Sequence, residues 1–406
     1  MKDIVPAIKI LMRNPLGPLL IMGQIGITIA ILSALFYSIF NLSSLIFQDS
    51  NVNENNLGRF SVAMTMPLEA RGNAIKEDLR KLTSKEGVRQ AAVVNRAPLD
   101  RWVLINGVSN DADKALAVSS WSHIQMMDHN GLDVMGVSLI EGRNFSESEI
   151  RYIPKWKSNE ISTAMVTKSL AHYLFGDGPV LGKQVLWNNK YLEIVGITED
   201  VFATHAMNQF RGHALFISAI FVNDSFDYLM HTEAPTTLST LNNIEAGMQT
   251  DGRERVLSAV STIKSLKQVA RNQFYYVIKI LLLIYILLIG VCGFGVIGLT
   301  AYRVANSRQQ IAIRRALGAT RWDICRFFLT ENMLIFIGAM LLGALLVPAI
   351  MYLLSGGSTE SVLPWYAPLI TGSSMLTIIL LAAAYPAIQA TQVSPASVSG
   401  NLVAKG

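Results

Sequence analysis

Four long stretches of this chain carry almost no charge, and they decide what it can fold into. Residues 14–48 hold no charged side chain, with an apolar centre at about 19–41. A second stretch runs from Ile280 to Tyr302 and begins near Phe274, with Lys279 inside its first turns. A third follows Glu331 and stays uncharged to Thr359, and a fourth lies within 361–404, best placed at 367–390. A helix needs roughly 20 apolar residues to cross a bilayer core, so each stretch is long enough. The overall balance agrees: 51% of residues are hydrophobic and only 16% charged, which argues against a disordered chain and against a soluble enzyme. The basic start ahead of the first run has the layout of a signal peptide. That run is too long, however, and no small-x-small cleavage site follows it, so a membrane span is expected.

Charge sets the orientation. The chain carries a net charge of +5, but residues 41–273 hold 23 Lys and Arg against 25 Asp and Glu, a net of −2. The surplus lies in Lys2, Lys9 and Arg13, and in Arg303, Arg308, Arg314, Arg315, Arg321 and Arg326. Lys and Arg in short loops stay on the cytoplasmic side. The expected order is therefore a cytoplasmic segment (1–17), a first span (18–41) and a large outer block (42–273). A second span (274–300), a cytoplasmic loop (301–327) and a third span (328–354) follow. An outer loop (355–366), a fourth span (367–390) and a cytoplasmic tail (391–406) complete it. The 355–365 region has no Lys or Arg, as an outer loop requires.

The outer block reads as α+β. Residues 60–68 alternate like a strand, 71–86 form a charged helix candidate, and 90–96 and 214–222 read as further strands. Asn188-Asn189 sits between two strand-like runs as a tight hairpin turn. Residues 236–250 and 253–273 look helical, and in the latter Val256, Val260, Ile263, Lys267, Ala270 and Phe274 fall on one face. No Pro or Gly separates Arg253 from the second span, so one continuous helix leaving the membrane as a stalk is expected. The pattern equally fits an amphipathic helix packed on its own domain. The two cysteines, Cys292 and Cys325, lie outside the block, which excludes a disulfide framework there.

The segment 306–332 is the most informative. Ile313, Leu317, Ile324 and Phe328 mark an apolar stripe; Gly318 suits the residue that ends a short helix; and Thr320-x-x-Asp323 fits a capping box for the next one. Its arginines can anchor at anionic headgroups, face an acidic groove on a cytoplasmic partner, or serve only to set topology. Glu331 either sits in the first turn of a late-starting helix or pairs with Arg326 or Arg303.

Other patterns lack the context that chemistry needs. Gly293-x-Gly295-x-x-Gly298 spells a dinucleotide fingerprint inside a membrane span with no strand before it, so close helix packing is the expected use. Gly182-Lys183 lacks both the first Gly and the Ser or Thr of a phosphate loop. The six histidines show no i,i+4 ligand pairing, although His205 and His213 could meet in space. Lys279 is expected to snorkel to the interface. Neither a catalytic set nor a cofactor or metal site is expected.

At 310–331 the chain resembles the FtsX/MacB-type permeases of ABC transporters. It reads Gln310-Ile311-Ala312-Ile313-Arg314-Arg315-Ala316-Leu317-Gly318-Ala319, then Asp323-Ile324, then Phe328-Leu329-Thr330-Glu331. Gln310 and Ala312 depart from the family's usual Glu and Gly. Tyr385-Pro386-Ala387 and Ser394-Pro395-Ala396 are similar to the family's closing pair. In the outer block, Gly142-Arg143-Asn144-Phe145, Leu174-Phe175-Gly176, Leu181-Gly182-Lys183 and Leu192–Ile197 resemble the MacB-type periplasmic core domain. The resemblance implies that Ile311, Ile313, Arg314, Arg315, Ala316, Leu317, Gly318 and Ala319 dock on a separate ABC ATPase subunit. That subunit's ATP-driven dimerisation would move spans and stalks (Val256, Val260, Ile263, Ala270), a process called mechanotransmission. It also implies a second permease copy or paralogue, a bacterial inner-membrane location, and in many relatives a periplasmic adaptor and outer-membrane channel. No nucleic-acid partner is implied. Export of a peptide, toxin, antibiotic or lipid-like substrate is the expected function. The alternatives are a regulator of a cell-envelope hydrolase or sensor, and a lipoprotein-releasing permease.

Overall fold

The computed structural model describes residues 12, 15–47, 49–100, 104–110, 117–155, 160–202, 212–223, 225–249, 254–307, 311–314, 317–354 and 364–390. The chain divides into two compact units, one of residues 1–46 with 274–406 and one of residues 47–273.

Among the described residues, four helices are long and apolar enough to cross a membrane. They are α1 (Leu16–Phe47), α6 (Ile263–Asn306), α7 (Arg321–Leu354) and α8 (Tyr366–Ala390). Their shared core follows helical spacing. Ile21, Ile25, Ile29 and Leu32 of α1 meet Cys292 and Val296 of α6, Ile335 and Ala339 of α7, and Met375 and Ile379 of α8. Lipid offers no hydrophobic drive between helices, so close backbone approach and polar side chains do the joining. A Cβ added at Gly343 would lie 3.0 Å from the carbonyl oxygen of Gly26. Ser33 and Thr371 share a buried hydrogen bond of 2.8 Å between α1 and α8.

The second unit is α+β. Its strands are β1 (Leu57–Met64), β2 (Val88–Val94), β3 (Ile105–Ser109), β4 (Ser119–Met126), β5 (Leu139–Gly142), β6 (Arg151–Ile153) and β7 (Thr163–Thr167). Then come β8 (Gln184–Trp187), β9 (Lys190–Thr198), β10 (Ala214–Ile217), β11 (Ala219–Phe221), β12 (Phe226–Thr232) and β13 (Arg255–Thr262). Its helices are α2 (Leu68–Thr83), α3 (Gly131–Met135), α4 (Lys168–Phe175) and α5 (Leu238–Gln249). One sheet has the order β13-β1-β12-β2; the other has β5-β9-β7-β10-β4-β3-β8, and a further β8–β9 pairing bends it back on itself. Asn188 and Asn189 join β8 to β9 with φ of 50° and 62°, the left-handed pair that a two-residue hairpin requires. The strand expected over 214–222 divides at Ser218, whose hydroxyl bonds Thr163; beyond it β11 leaves to pair with β6. Gly142 and Gly196 face each other in the β5–β9 register, and a Cβ at Gly142 would lie 2.4 Å from the Val195 carbonyl oxygen.

The helix expected from Arg253 is corrected by the structure. Val256 and Val260 lie in β13, and α6 begins only at Ile263. β1 pairs with β12 on one side and needs a second partner on the other, and β13 supplies it antiparallel. That ladder, together with β-branched valines, outweighs the local helical spacing. The strand bulges between Ser258 and Ser261, where Ala259 takes φ of 51°. From Ile263 onward α6 is one uninterrupted helix of 44 residues. Ile263 is buried in the α+β unit's second core with Leu57 and Phe216.

Buried charge fixes the first sheet. The Arg59 guanidinium is 2.9 Å from the Asp227 carboxylate, pairs with Asp100, and donates from Nε to Ser261 Oγ at 3.0 Å. Arg59 thereby ties β1 to β12, to β13 and to the loop after β2. A second buried pair joins Arg255 to Asp78 at 3.0 Å, with the Tyr228 hydroxyl donating to the same carboxylate.

Candidate functional site

Between α6 and α7 the chain turns sharply, and both halves of the turn are closed by their own hydrogen bonds. Residues 311–314 are helical. The helix stops because Gly318 adopts φ of 96° and lets the Ala319 amide donate back to the Arg314 carbonyl at 3.0 Å. A Cβ at Gly318 would touch nothing within 4 Å, so the backbone angle rather than space demands glycine here. The next helix starts on the expected capping box. The Asp323 amide donates to Thr320 Oγ1 at 3.2 Å, and the Thr320 amide donates to Asp323 Oδ2 at 2.9 Å.

The turn has two faces. Ile311 and Ala312 are buried, and Ile311 packs with Val304, Ile324, Cys325 and Phe328. Ile313 and Leu317 point the other way, 54% and 83% exposed, and Trp322 in the first turn of α7 is 66% exposed. The apolar stripe drawn from the sequence is thus split: Ile324 and Phe328 anchor the turn, while Ile313 and Leu317 are presented outward. Arg315, Ala316 and Gln310 lie outside the described residues. Sequence reasoning passed over Trp322, although an exposed tryptophan in a first helical turn is a signal in its own right. Phe327 was passed over too; the Arg314 guanidinium lies 4.2 Å from its ring centre.

Behind the turn, Arg303 near the end of α6 pairs with buried Glu331 of α7, the second of the two partners anticipated for that acid. The pair borders a cavity of about 350 Å³, which Pro18, Ile311, Arg314 and Phe328 also line.

The remaining sequence candidates fall elsewhere. Gly295 packs against the Gln24 side chain within the helical unit, and Lys279 is exposed with its ammonium 5.7 Å from the Tyr276 ring. His213 shares a 2.7 Å hydrogen bond with Ser120, and His205 lies outside the described residues. Of the stalk residues, Ile263 and Ala270 belong to α6, whereas Val256 and Val260 are strand residues.

The family model of the MacB-like periplasmic core domain matches residues 19–259. That of the FtsX-like permease C-terminal domain matches residues 282–395. The chain belongs to the MacB/FtsX-type permease family. It is 22% identical over 242 residues to the macrolide export ATP-binding/permease protein MacB of Chromobacterium violaceum, covering 56% of this chain and 35% of that protein. To MacB 1/2 of Paracoccus denitrificans it is 24% identical, covering 54% and 32%. The chain thus spans about a third of the length of these curated relatives. Among solved structures, the periplasmic region of MacB from Actinobacillus actinomycetemcomitans aligns with a TM-score of 0.34 at 12% identity, over 56% of this chain and 98% of that one. As a member of this family, the chain is a multi-pass membrane protein with a periplasmic α+β domain.

Proposed function

We propose that this chain is the permease subunit of an ABC transporter in a bacterial inner membrane, and that a separate ATPase subunit docks on the turn at 311–320. Both termini and the turn face the cytoplasm, and the α+β unit faces the periplasm. The observation that carries the reading is the divided turn. Ile311 is sunk in the core, while Ile313 and Leu317 stand in solvent on a helix closed at one end by Gly318. An apolar edge this exposed on a rigid support is costly in water unless a partner covers it. The exposed Arg321 at the start of α7 suits an acidic groove on that partner.

ATP-driven movement of the ATPase pair would then pass through α6, which has residues in both units, to the edge strand β13 and the periplasmic sheets. A helix resists stretching through its hydrogen-bond ladder, which suits it to carrying displacement. The substrate class is a peptide, toxin, antibiotic or similar molecule moved by the periplasmic domain, and the assembly pairs this chain with a second copy or paralogue. An adaptor and an outer-membrane channel complete the path.

Purification from native membranes tests the docking site. The wild-type chain should bring down an ATPase subunit, and Leu317→Asp should abolish that while leaving the chain folded. Gly318→Pro, which cannot reach φ of 96°, should uncouple ATP hydrolysis from the permease. Recovery of the same ATPase with Leu317→Asp would refute docking at this edge.

A further inference from the structure

The cavity behind the turn has a composition that docking on its outer face does not explain. It holds about 350 Å³, within the range of roughly 300–1,000 Å³ typical of small-ligand pockets. Two guanidiniums, Arg303 and Arg314, and one carboxylate, Glu331, line it. Arg303 and Glu331 neutralise each other in their ion pair. Arg314 is half-buried and stacked on Phe327, and among the described residues it makes no ion pair. Two guanidiniums against one carboxylate leave the wall with a net positive charge, although Arg314 also acts on Glu331 through space. Asn306 and Ser307 add polar groups to the wall, and Ile324 and Phe328 supply an apolar one.

We propose that this cavity binds an anionic phosphate group, with Arg314 as its principal ligand. The planar fork of arginine suits phosphate oxygens, and a cation held against an aromatic face in a partly dry pocket interacts more strongly than one in bulk water. Basic pockets between the ends of membrane helices suit the headgroups of anionic phospholipids, and the apolar wall would take the adjoining glycerol and first acyl carbons. A free phosphate would satisfy the same charge but leave that wall unused. Ile311 and Arg314 belong to the turn itself, so an occupant would bind the turn to the ends of α6 and α7. The site does not depend on any ATPase partner, and its test needs none.

The test measures thermal stability and lipid binding of the purified full chain. Its probes are phosphatidylglycerol, phosphatidylcholine and inorganic phosphate. Phosphatidylglycerol should stabilise the wild-type chain over phosphatidylcholine. Arg314→Gln should weaken its apparent affinity by about tenfold or more, as expected for loss of a charge-assisted hydrogen bond. Arg314→Lys should fall in between, and Arg321→Gln, exposed and outside the cavity, should behave as wild type. Stabilisation by phosphatidylglycerol alone identifies a lipid headgroup site; an equal, Arg314-dependent effect of inorganic phosphate identifies a free-anion site. The proposal is overturned if neither probe stabilises the wild-type chain, or if Arg314→Gln and Arg314→Lys bind as wild type does. The stability of each variant in phosphatidylcholine reports whether it folds.

Discussion

The periplasmic unit and the membrane unit solve the same packing problem with different materials. In the periplasmic unit, sheets close around large apolar cores, and buried charges sit among them: Arg59 with Asp100 and Asp227, Arg255 with Asp78. In the membrane unit the apolar faces of the described helices are drawn together by glycine contacts and single hydroxyl bonds, with the ion pair Arg303–Glu331 near the turn. The difference follows from the solvent. Water drives apolar surface together and leaves room for a few expensive, well-paired ions. Lipid supplies no such drive, so contact depends on how closely two backbones approach.

That contrast predicts a hierarchy of mutational effects. Asp227→Ala leaves Arg59 buried without one of its two carboxylates and removes the acceptor for the Ser61 hydroxyl and the Ala97 amide. It should cost the periplasmic unit about 3–5 kcal/mol, measured by urea-dependent proteolysis of the intact chain, with the membrane helices unaffected. A loss below 1 kcal/mol would show that the charges are incidental to that sheet.

The next effect is a pH dependence hidden by cancellation. Burial raises the Asp128 carboxyl to about 7 and lowers the His123 imidazole to about 4. Asp128 contributes stability at low pH that is lost as pH climbs from about 4 to 7. His123 contributes stability above about 6.5 that is lost as pH falls to 4. Their slopes oppose each other between pH 4 and 6.5. Asp128→Asn should remove the opposing slope and leave His123, with the smaller and like-signed contributions of His213 and His231, so that stability of the periplasmic unit rises by about 3 kcal/mol or more from pH 4 to 6.5. A flat profile in that variant would contradict the burial of a neutral His123.

In the membrane unit the effects should be smaller. Gly343→Leu must push α7 away from Gly26 and should cost about 1–3 kcal/mol in detergent unfolding, whereas Gly17→Ala, whose added Cβ meets nothing within 4 Å, should cost nothing comparable. Ser33→Ala removes the hydrogen bond to Thr371 and should cost only about 0.6 kcal/mol. A Ser33→Ala effect as large as that of Asp227→Ala would erase the contrast between the two units.

How much of this was legible in the sequence depended on how local each signal was. The Asn188-Asn189 hairpin, the Gly318 stop and the Thr320–Asp323 cap are each written in a few adjacent residues, because left-handed backbone and capping bonds select particular side chains. The β13 strand was not legible. Val256 and Val260 are four apart, a spacing that suits one face of a helix and one face of a strand alike, and only the distant β1 decides between them. The closure of the larger sheet rests on two residue pairs between β3 and β8, far apart in sequence. At the turn, the sequence placed Ile313, Leu317, Ile324 and Phe328 in one stripe. The reversal at Gly318 breaks the helical phase, and only the second pair points inward.

The central claim is that the outward edge of this turn is a docking surface while its inward edge is an anchor. Photo-crosslinking from position 317 and, as its control, position 311 in intact membranes tests this most directly. The account predicts that 317 captures an ATP-hydrolysing subunit and 311 captures none. Capture of that subunit from 311 but not 317, or of none from either, would contradict it.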